Sequence, residues 1–549
     1  MIGRTRFSWM RWRVARWAVL AGAAPALWAC TSRTLEAPTI TPTATVTTTF
    51  TQKIDNNLDI LFMIDNSSSM ASMQEKLYTQ LPNFMNILTS LPTPPNLHVA
   101  VVSSDMGAPG DAAGSDGCTT AGDMGIFQNT ARSDSAIMAT CDTTTLQNGA
   151  YYISDVAGMT NFTNPMGIGS VFQCIALLGQ MGCGFEHQLA SIDRALGSDQ
   201  PQGTNPDGTA IPNPPSQNVG FLRADAYLGI VLLTNEDDCS GAPGSEAFSL
   251  GDGGQGSQNL ENPTGLGPLA NYRCNERDHL CQDPASSNPT GFILPPLTPP
   301  ADAQGNASAP TLDLKACKDN DQGIGPPLLT RVSQFVSDIK ALKSDPDSQI
   351  LVAAITAPAA PYTVQWVPPV GASPGTPSGE LWPQVEHSCG PSGDSSVNPE
   401  TTMYTTDGSF GDPGVRISQF VNSFTDSVLA SICDKDYSQS MAEIAMKLGA
   451  LIQPPCITEK IQNDSQGQPQ CSVIENLTDS MGNETHNAIP NCNENGNAAP
   501  CWTLGAPAAG SSCAGQTLTV NDPNSTNASS ANSTISCAFC LPGVAGNGC

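Results

Sequence analysis

The chain has 549 residues, 22 of them Lys or Arg and 50 Asp or Glu, for a formal charge of −28. Nucleic acid is held by clustered Lys and Arg against phosphates, so so acidic a chain is not expected to bind it. Its 50 Gly and 45 Pro, with only 13% charged residues, make it rich in loops and exclude a coiled coil, a collagen-like repeat and a polytopic membrane protein, while the length suffices for several ordinary domains.

Residues 1–29 read as an export signal. Arg4, Arg6, Arg11, Arg13 and Arg16 precede any acid, and an apolar stretch runs from Trp17 to Trp28. That stretch is about a dozen residues, short of the about 20 that a helix needs to cross a bilayer. Leu27-Trp28-Ala29-Cys30 resembles the lipobox of bacterial lipoproteins, which implies cleavage before Cys30, diacylation of its sulfur and a lipid anchor. Thr31 stands where an inner-membrane retention signal would place Asp, so the resemblance implies an exported protein held at the outer membrane, periplasmic or surface-exposed. Of the nineteen cysteines, setting Cys30 aside leaves an even number, as expected of disulfides formed in an oxidising compartment. Cys537-x-x-Cys540 has no second pair or His nearby to complete a zinc site, and reads as structural rather than redox-active.

Residues 30–57 are Thr- and Pro-rich without apolar periodicity and are expected to form a disordered tether. At Leu58 the pattern changes: Leu58–Ile64 is a continuous apolar run ending in Asp65, the mark of a strand buried on both faces. Met70, Met73, Leu77, Leu81, Met85 and Leu88 then recur at helical spacing. Strands are expected at Leu97–Val102, Tyr151–Ile153, Tyr227–Leu233 and Ile350–Ile355, and helices at Phe185–Leu196, Leu328–Leu342, Val415–Ile432 and Ser438–Ile452. This βα alternation predicts an α/β fold over 58–455, a doubly wound, mostly parallel sheet with helices on both faces. The Gly-, Pro- and Asn-rich stretches near 104–149, 198–217 and 240–327 are expected as loop insertions without core. Residues 456–549 hold eight cysteines and few apolar side chains, which predicts a small module stapled by disulfides.

The segment Asp65-x-Ser67-x-Ser69 carries the chemistry. A carboxylate and two hydroxyls at alternate positions, on the loop leaving a buried parallel strand, can converge on one point at the edge where open α/β sheets bind ligands. Such hard oxygens suit Mg²⁺, Mn²⁺ or Ca²⁺; the other reading is a cap for the helix that follows. The strand ahead of Asp65, the amphipathic helix behind Ser69 and the βα order resemble the von Willebrand factor type A domain, whose metal-ion-dependent adhesion site begins with D-x-S-x-S. The resemblance implies a doubly wound sheet, one divalent cation with Asp65, Ser67 and Ser69 as ligands, and binding of proteins or matrix through it. Where that family supplies a Thr, this chain has Gly182-Cys183-Gly184-Phe185-Glu186-His187, so Glu186 either substitutes or caps a helix. Where the family supplies an Asp after its fourth strand, Asn235 stands, followed by Glu236, Asp237 and Asp238, of which Glu236 and Asp237 are candidate ligands unless the loop is a solvated turn. Asp237-Asp238-Cys239-Ser240, Ser431-Ile432-Cys433-Asp434 and Pro500-Cys501-Trp502 resemble features of bacterial lipoproteins that carry this domain with a Cys-rich tail.

Asp319-Asn320-Asp321-Gln322-Gly323 opens like an EF-hand loop, but its Gly is one place early and Thr330 stands where the bidentate Glu belongs. The five His are scattered, and neither H-E-x-x-H nor a Walker loop occurs; no enzyme activity is expected. The leading expectation is a lipid-anchored envelope protein that binds a protein or surface polymer when its cation accepts an acidic group. The alternative is a metal-independent scaffold lipoprotein.

Overall fold

A computed structural model describes residues 46–540, apart from 54–55, 92–93, 109–117, 120–121, 133–140, 142–145, 164–166, 200–211, 243–246, 249–269, 285–287, 289–290, 301–310, 322, 324–327, 369–380, 453–455, 479–483, 507–514 and 522–529. The export signal, Cys30 and tether residues 31–45 lie outside the described residues. Among those described, no helix is long and apolar enough to cross a membrane.

The first element corrects the sequence reading. Val46–Lys53, expected within the tether, is strand β1 and pairs antiparallel with the last strand of the chain. Its run of Thr gives it no apolar signature, and its partner strand lies at the other end of the chain. The chain then enters the α/β body through β2 (Asn57–Ile64), α1 (Ala71–Thr89), β3 (Asn96–Ser103), the short antiparallel strands β4 (Ile153–Val156) and β5 (Met159–Thr160), α2 (Ile168–Ile175), α3 (Gln188–Leu196) and β6 (Tyr227–Leu233). Strand β2 is buried at every position, as its unbroken apolar run predicts.

The next stretch departs further from expectation. Residues 240–327 supply α4 (Tyr272–Asp278), β7 (His279–Gln282), β8 (Phe292–Ile293) and β9 (Thr311–Asp319). These join β11 (Tyr362–Val367) and β12 (Trp382–Val385) in a second, antiparallel sheet of order β12-β11-β9-β7-β8. Its core sets Leu314 and Cys281 from the insertion against Tyr362, Val364, Trp366 and Val385. The apolar partners are remote in sequence, so no local period announces the sheet.

The main body resumes with α5 (Val332–Lys340), α6 (Pro346–Gln349) and β10 (Ile350–Thr356). After β11 and β12 come the two-residue strands β13 (Gly390–Pro391) and β14 (Tyr404–Thr405), then α7 (Val415–Asn422), β15 (Asp426–Ser431) and α8 (Ser438–Ile452). Val415–Ile432, expected as one helix, is thus a helix followed by an edge strand. A short apolar run at the margin of a sheet is not separable from helix by periodicity alone.

The central sheet has the order β15-β10-β6-β2-β3-β4-β5, parallel from β15 through β3. Its two faces carry separate cores. Leu58, Ile60, Phe62 and Ile64 of β2 pack with Phe84, Phe172 and Leu448 from α1, α2 and α8. Leu61 and Met63 pack with Ile192, Phe335 and Phe420 from α3, α5 and α7. This is the doubly wound arrangement. Phe62 meets Phe84 and Phe172 edge-on at 5.4 and 4.8 Å, and each such buried ring contributes about 1.5–3 kcal/mol by area.

The tail is all β. Strands β17 (Cys471–Thr478), β18 (Glu484–Ile489) and β21 (Ser530–Phe539) form the order β1-β21-β17-β18, while β16 (Cys456–Ile457), β19 (Cys501–Gly505) and β20 (Gln516–Asn521) form a three-stranded sheet. One small cluster that includes Ile457, Val473, Trp502, Leu518, Ile535 and Phe539 is its core. Cys471–Cys537 and Cys492–Cys501 staple it. Cys537 is therefore bonded across the sheet to Cys471 and not to Cys540, and Cys540 is itself disulfide-bonded, as a structural reading of that pair expects.

A digest run without reductant should release a Cys471 peptide joined to a Cys537 peptide. Replacing both by Ala should destabilise the tail by about 2–5 kcal/mol, read as faster proteolysis within 456–540. Unchanged resistance would contradict the role assigned to this bond.

Candidate functional site

The parallel register builds the site. Ile64 pairs with Ser103 on one side and with Leu233 on the other, so the next residues, Ser104, Asp65 and Thr234, stand in a row across three adjacent strands. From β2 the chain winds first to β3 on one side and later to β6, β10 and β15 on the other. That reversal opens a crevice at the carboxyl ends of β2 and β6, where α/β sheets place ligands.

Asp65 is fully buried. Its Oδ1 accepts from the Ser67 amide at 2.8 Å and the Ser104 hydroxyl at 3.2 Å, and its Oδ2 from the Thr234 hydroxyl at 2.8 Å. Burial raises its pKa, and these donors offset the rise only in part. The Ser67 and Ser69 hydroxyls lie 3.2 Å apart, and Ser69 Oγ donates to Asn235 Oδ1 at 3.1 Å. Gln74 Nε2 fastens the loop by donating to the carbonyls of Asp65 at 2.8 Å and Gly179 at 2.9 Å. Gly182 lies so close that a Cβ there would sit 2.2 Å from Asn66 Oδ1. No side chain caps α1, whose N-cap is Met70, so the motif does not exist to cap that helix.

The acidic residues separate into two groups. Glu186 does not cap α3: the Leu189 amide donates to Asp238 Oδ1 and the Ala190 amide to Ser240 Oγ, both at 2.9 Å. Glu186 is 2% exposed, and its Oε1 has no hydrogen-bond partner. Burial, then the charges of Glu236 and Asp65, push its pKa well up. The Glu236 carboxylate accepts from the Asn271 amide. With Glu186, Asp237, Asp238, Asn271, His279 and Asp412 it lines a recess of about 20 Å³, room for about one water-sized occupant.

Asp237 borders the same recess, and its carboxylate is bonded on several sides. Its carboxylate accepts the amides of Arg416 at 2.8 Å and Ile417 at 3.0 Å, at the start of α7, and meets His279 Nε2 at 3.0 Å. Burial alone would raise its pKa, but His279 and the two amides bring it below the usual value. Asp237 is a helix cap. Asp238 receives Arg416 Nη2 at 3.0 Å and Nε at 3.2 Å, and Arg416 Nη1 reaches Asp319. Arg416 is fully buried, yet the carboxylates of Asp319, Asp238, Asp278 and Asp237 outweigh that burial and raise its pKa. His187 is buried, and that burial lowers its pKa to about 4. The disulfides Cys118–Cys183, Cys239–Cys274 and Cys389–Cys433 fasten the loops around the crevice.

Among the described residues no group of three or more His, Cys, Asp or Glu is placed to hold a metal ion. A cation here would rely on hydroxyl and amide oxygens beside one or two carboxylates. Asp65, Ser67 and Ser69 lie together on the loop after β2, and the charges of Asp65 and Glu236 act on Glu186. Sequence reasoning missed Ser104, Thr234 and the Asn235 acceptor as partners, although each follows a predicted strand or its edge. Their alignment becomes readable once the parallel register is known.

No protein-family model matches the chain, and no curated protein matches it. Among solved structures it is similar to the pilus adhesin SpaC of Lactobacillus rhamnosus GG in its open conformation, at 12% identity and a TM-score of 0.25 over 90% of this chain and 40% of the adhesin. It is also similar to a von Willebrand factor type A protein from Catenulispora acidiphila, at 7% identity and a TM-score of 0.24 over 90% of this chain and 66% of that one. The chain thus spans less than two thirds of the length of either.

Arg416→Met removes one charge from a fully buried cluster and leaves Asp238 and Asp319 without their cation. The expected loss is about 3–5 kcal/mol, measured as a lower melting temperature of the oxidised protein. A melt within a degree of wild type would show that the cluster does not hold this edge together.

Proposed function

We propose that this chain is an envelope lipoprotein, anchored through Cys30, whose α/β domain binds a protein or surface polymer by means of one divalent cation. The observation that carries the reading is the convergence of Asp65, Ser67 and Ser69 at the strand-order reversal beside Glu186, a buried carboxylate with one oxygen unpartnered. A buried carboxylate without a partner is costly, and a cation drawn into the crevice would relieve it. Ser67 Oγ, Ser69 Oγ and the Asp65 carboxylate would hold the ion, with Glu186 or Glu236 as the flanking acid; Mg²⁺, Mn²⁺ and Ca²⁺ suit such oxygens. The ion would supply an open coordination position for a partner oxygen. The activity is association rather than catalysis.

One observation favours the metal-independent scaffold reading. Asp65 already accepts three hydrogen bonds, so it is satisfied as a structural acceptor without any ion.

Titration calorimetry of Mg²⁺, Mn²⁺ and Ca²⁺ into the oxidised full chain separates the two. The full chain is needed because β1 belongs to the tail sheet. The proposal expects one ion per chain, lost in Asp65→Ala and weakened at least tenfold in Ser69→Ala, a half-buried position that tolerates the change. Glu186→Gln should leave the melting temperature in chelator unchanged or higher, because it replaces a buried acid whose ionisation burial disfavours, and should abolish the stabilisation that added cation gives the wild type. Absence of binding, or binding indifferent to Asp65 and Ser69, would favour the scaffold.

A further inference from the structure

A second cleft lies on the far margin of the central sheet. It is a wide-mouthed depression of about 490 Å³ between the β4–β5 hairpin and the turn preceding β6, and Tyr151, Tyr152, Ser154, Ser216, Gln217 and Val219 line it. Such a volume falls within the about 300–1,000 Å³ of small-molecule sites. Ser154 pairs with His98 on β3, six residues before Ser104, which puts this cleft roughly 20 Å along the sheet from Asp65 at about 3.3 Å per residue. It is independent of the crevice described above.

Its walls are fixed and uncharged. The Tyr152 ring packs on Phe221 at 5.6 Å and on His98 at 5.0 Å. Asn161 locks the turn, its Nδ2 donating to the Tyr152 carbonyl at 2.8 Å and its Oδ1 accepting from the Ser154 amide at 2.9 Å. Gly149, at φ 69°, turns the chain at the rim. Among the described residues the hydroxyls of Tyr151, Tyr152 and Ser154 and the Nε2 of Gln217 have no protein hydrogen-bond partner. Val219 stands 64% exposed at the edge. None of the residues lining the cleft is charged, although the chain as a whole carries −28.

We infer that this cleft binds a neutral oligosaccharide. A sugar ring offers an apolar C–H face, which rests on an aromatic ring, and uncharged hydroxyls, which exchange hydrogen bonds with phenol, serine and amide groups. A charged peptide or polyanion would find no counter-charge here. A purely apolar ligand would strand the hydroxyls and the amide.

The test is calorimetry of the oxidised full chain with maltohexaose, cellohexaose and N-acetylchitohexaose, each up to millimolar concentration and in chelator, with heparin as the charged control. At least one hexaose should bind and heparin should not. Binding should fall at least tenfold in Tyr151→Ala and in Val219→Asp, the latter an exposed position where folding is not at stake, while Asp65→Ala binds as the wild type does. No hexaose binding would overturn the inference. So would binding that survives both cleft substitutions, or binding lost with Asp65, since the sugar would then sit in the other crevice. Because every arm is run in chelator, failure here leaves the cation reading untouched.

Discussion

Arg416 is the point at which the two sheets are joined. Its guanidinium bonds Asp238 beyond β6, Asp319 at the end of β9 and the Thr330 carbonyl ahead of α5, while its backbone amide is held by Asp237. A fully buried cation is tolerable only because carboxylates surround it, and the same holds in reverse for Asp238 and Asp319. The result is a fixed spacing between the loop that follows β6 and the inserted sheet. His279 adds a second link, from Asp237 through its Nδ1 to the Tyr362 hydroxyl at 2.9 Å on β11. The insertion is therefore part of the wall of the crevice rather than an appendage.

That anchoring decides which acids face the crevice. Asp237 and Asp238 are consumed in capping α7 and α3 and in neutralising Arg416. Glu236, between Asn235 and these two, is left on the open side with Glu186. Asn235 is set by its own backbone, whose carbonyl accepts the Asp412 amide at 2.8 Å, so its side chain meets Ser69. The acidic loop is divided by the structure into two acids bonded to Arg416 and to helix amides and one, Glu236, that accepts from Asn271.

The core of the α/β body was legible because strands buried on both faces must be continuous apolar runs, and Leu58–Ile64, Tyr227–Leu233 and Ile350–Ile355 are such runs. Asp65, Ser67 and Ser69 were legible for a related reason: polar residues placed directly after such a run stand at the edge of the sheet. What escaped was whatever depends on distant pairing. The inserted sheet draws its apolar faces from segments on either side of β10, β1 finds its partner at the other end of the chain, and β15 is too short to be told from the end of a helix. The row of Ser104, Asp65 and Thr234 is a product of register, which one sequence cannot fix. The capping by Asp237 needed the position of α7, some 180 residues on.

The disulfides follow the same division. Three of them, at Cys183, Cys239 and Cys433, hold loops on the carboxyl edge to one another or to the segments that cross it. Those loops are rich in Gly and Asn and have little apolar surface with which to order themselves, so closing them in the unfolded chain removes entropy that packing could not offset. The parallel strands need no such help. A preformed crevice results, in which a carboxylate such as Glu186 can be kept buried and incompletely bonded because the surrounding backbone is not free to relax toward it. Such a group is retained at the expense of stability, because burial without a full set of partners costs free energy that the rest of the fold must offset.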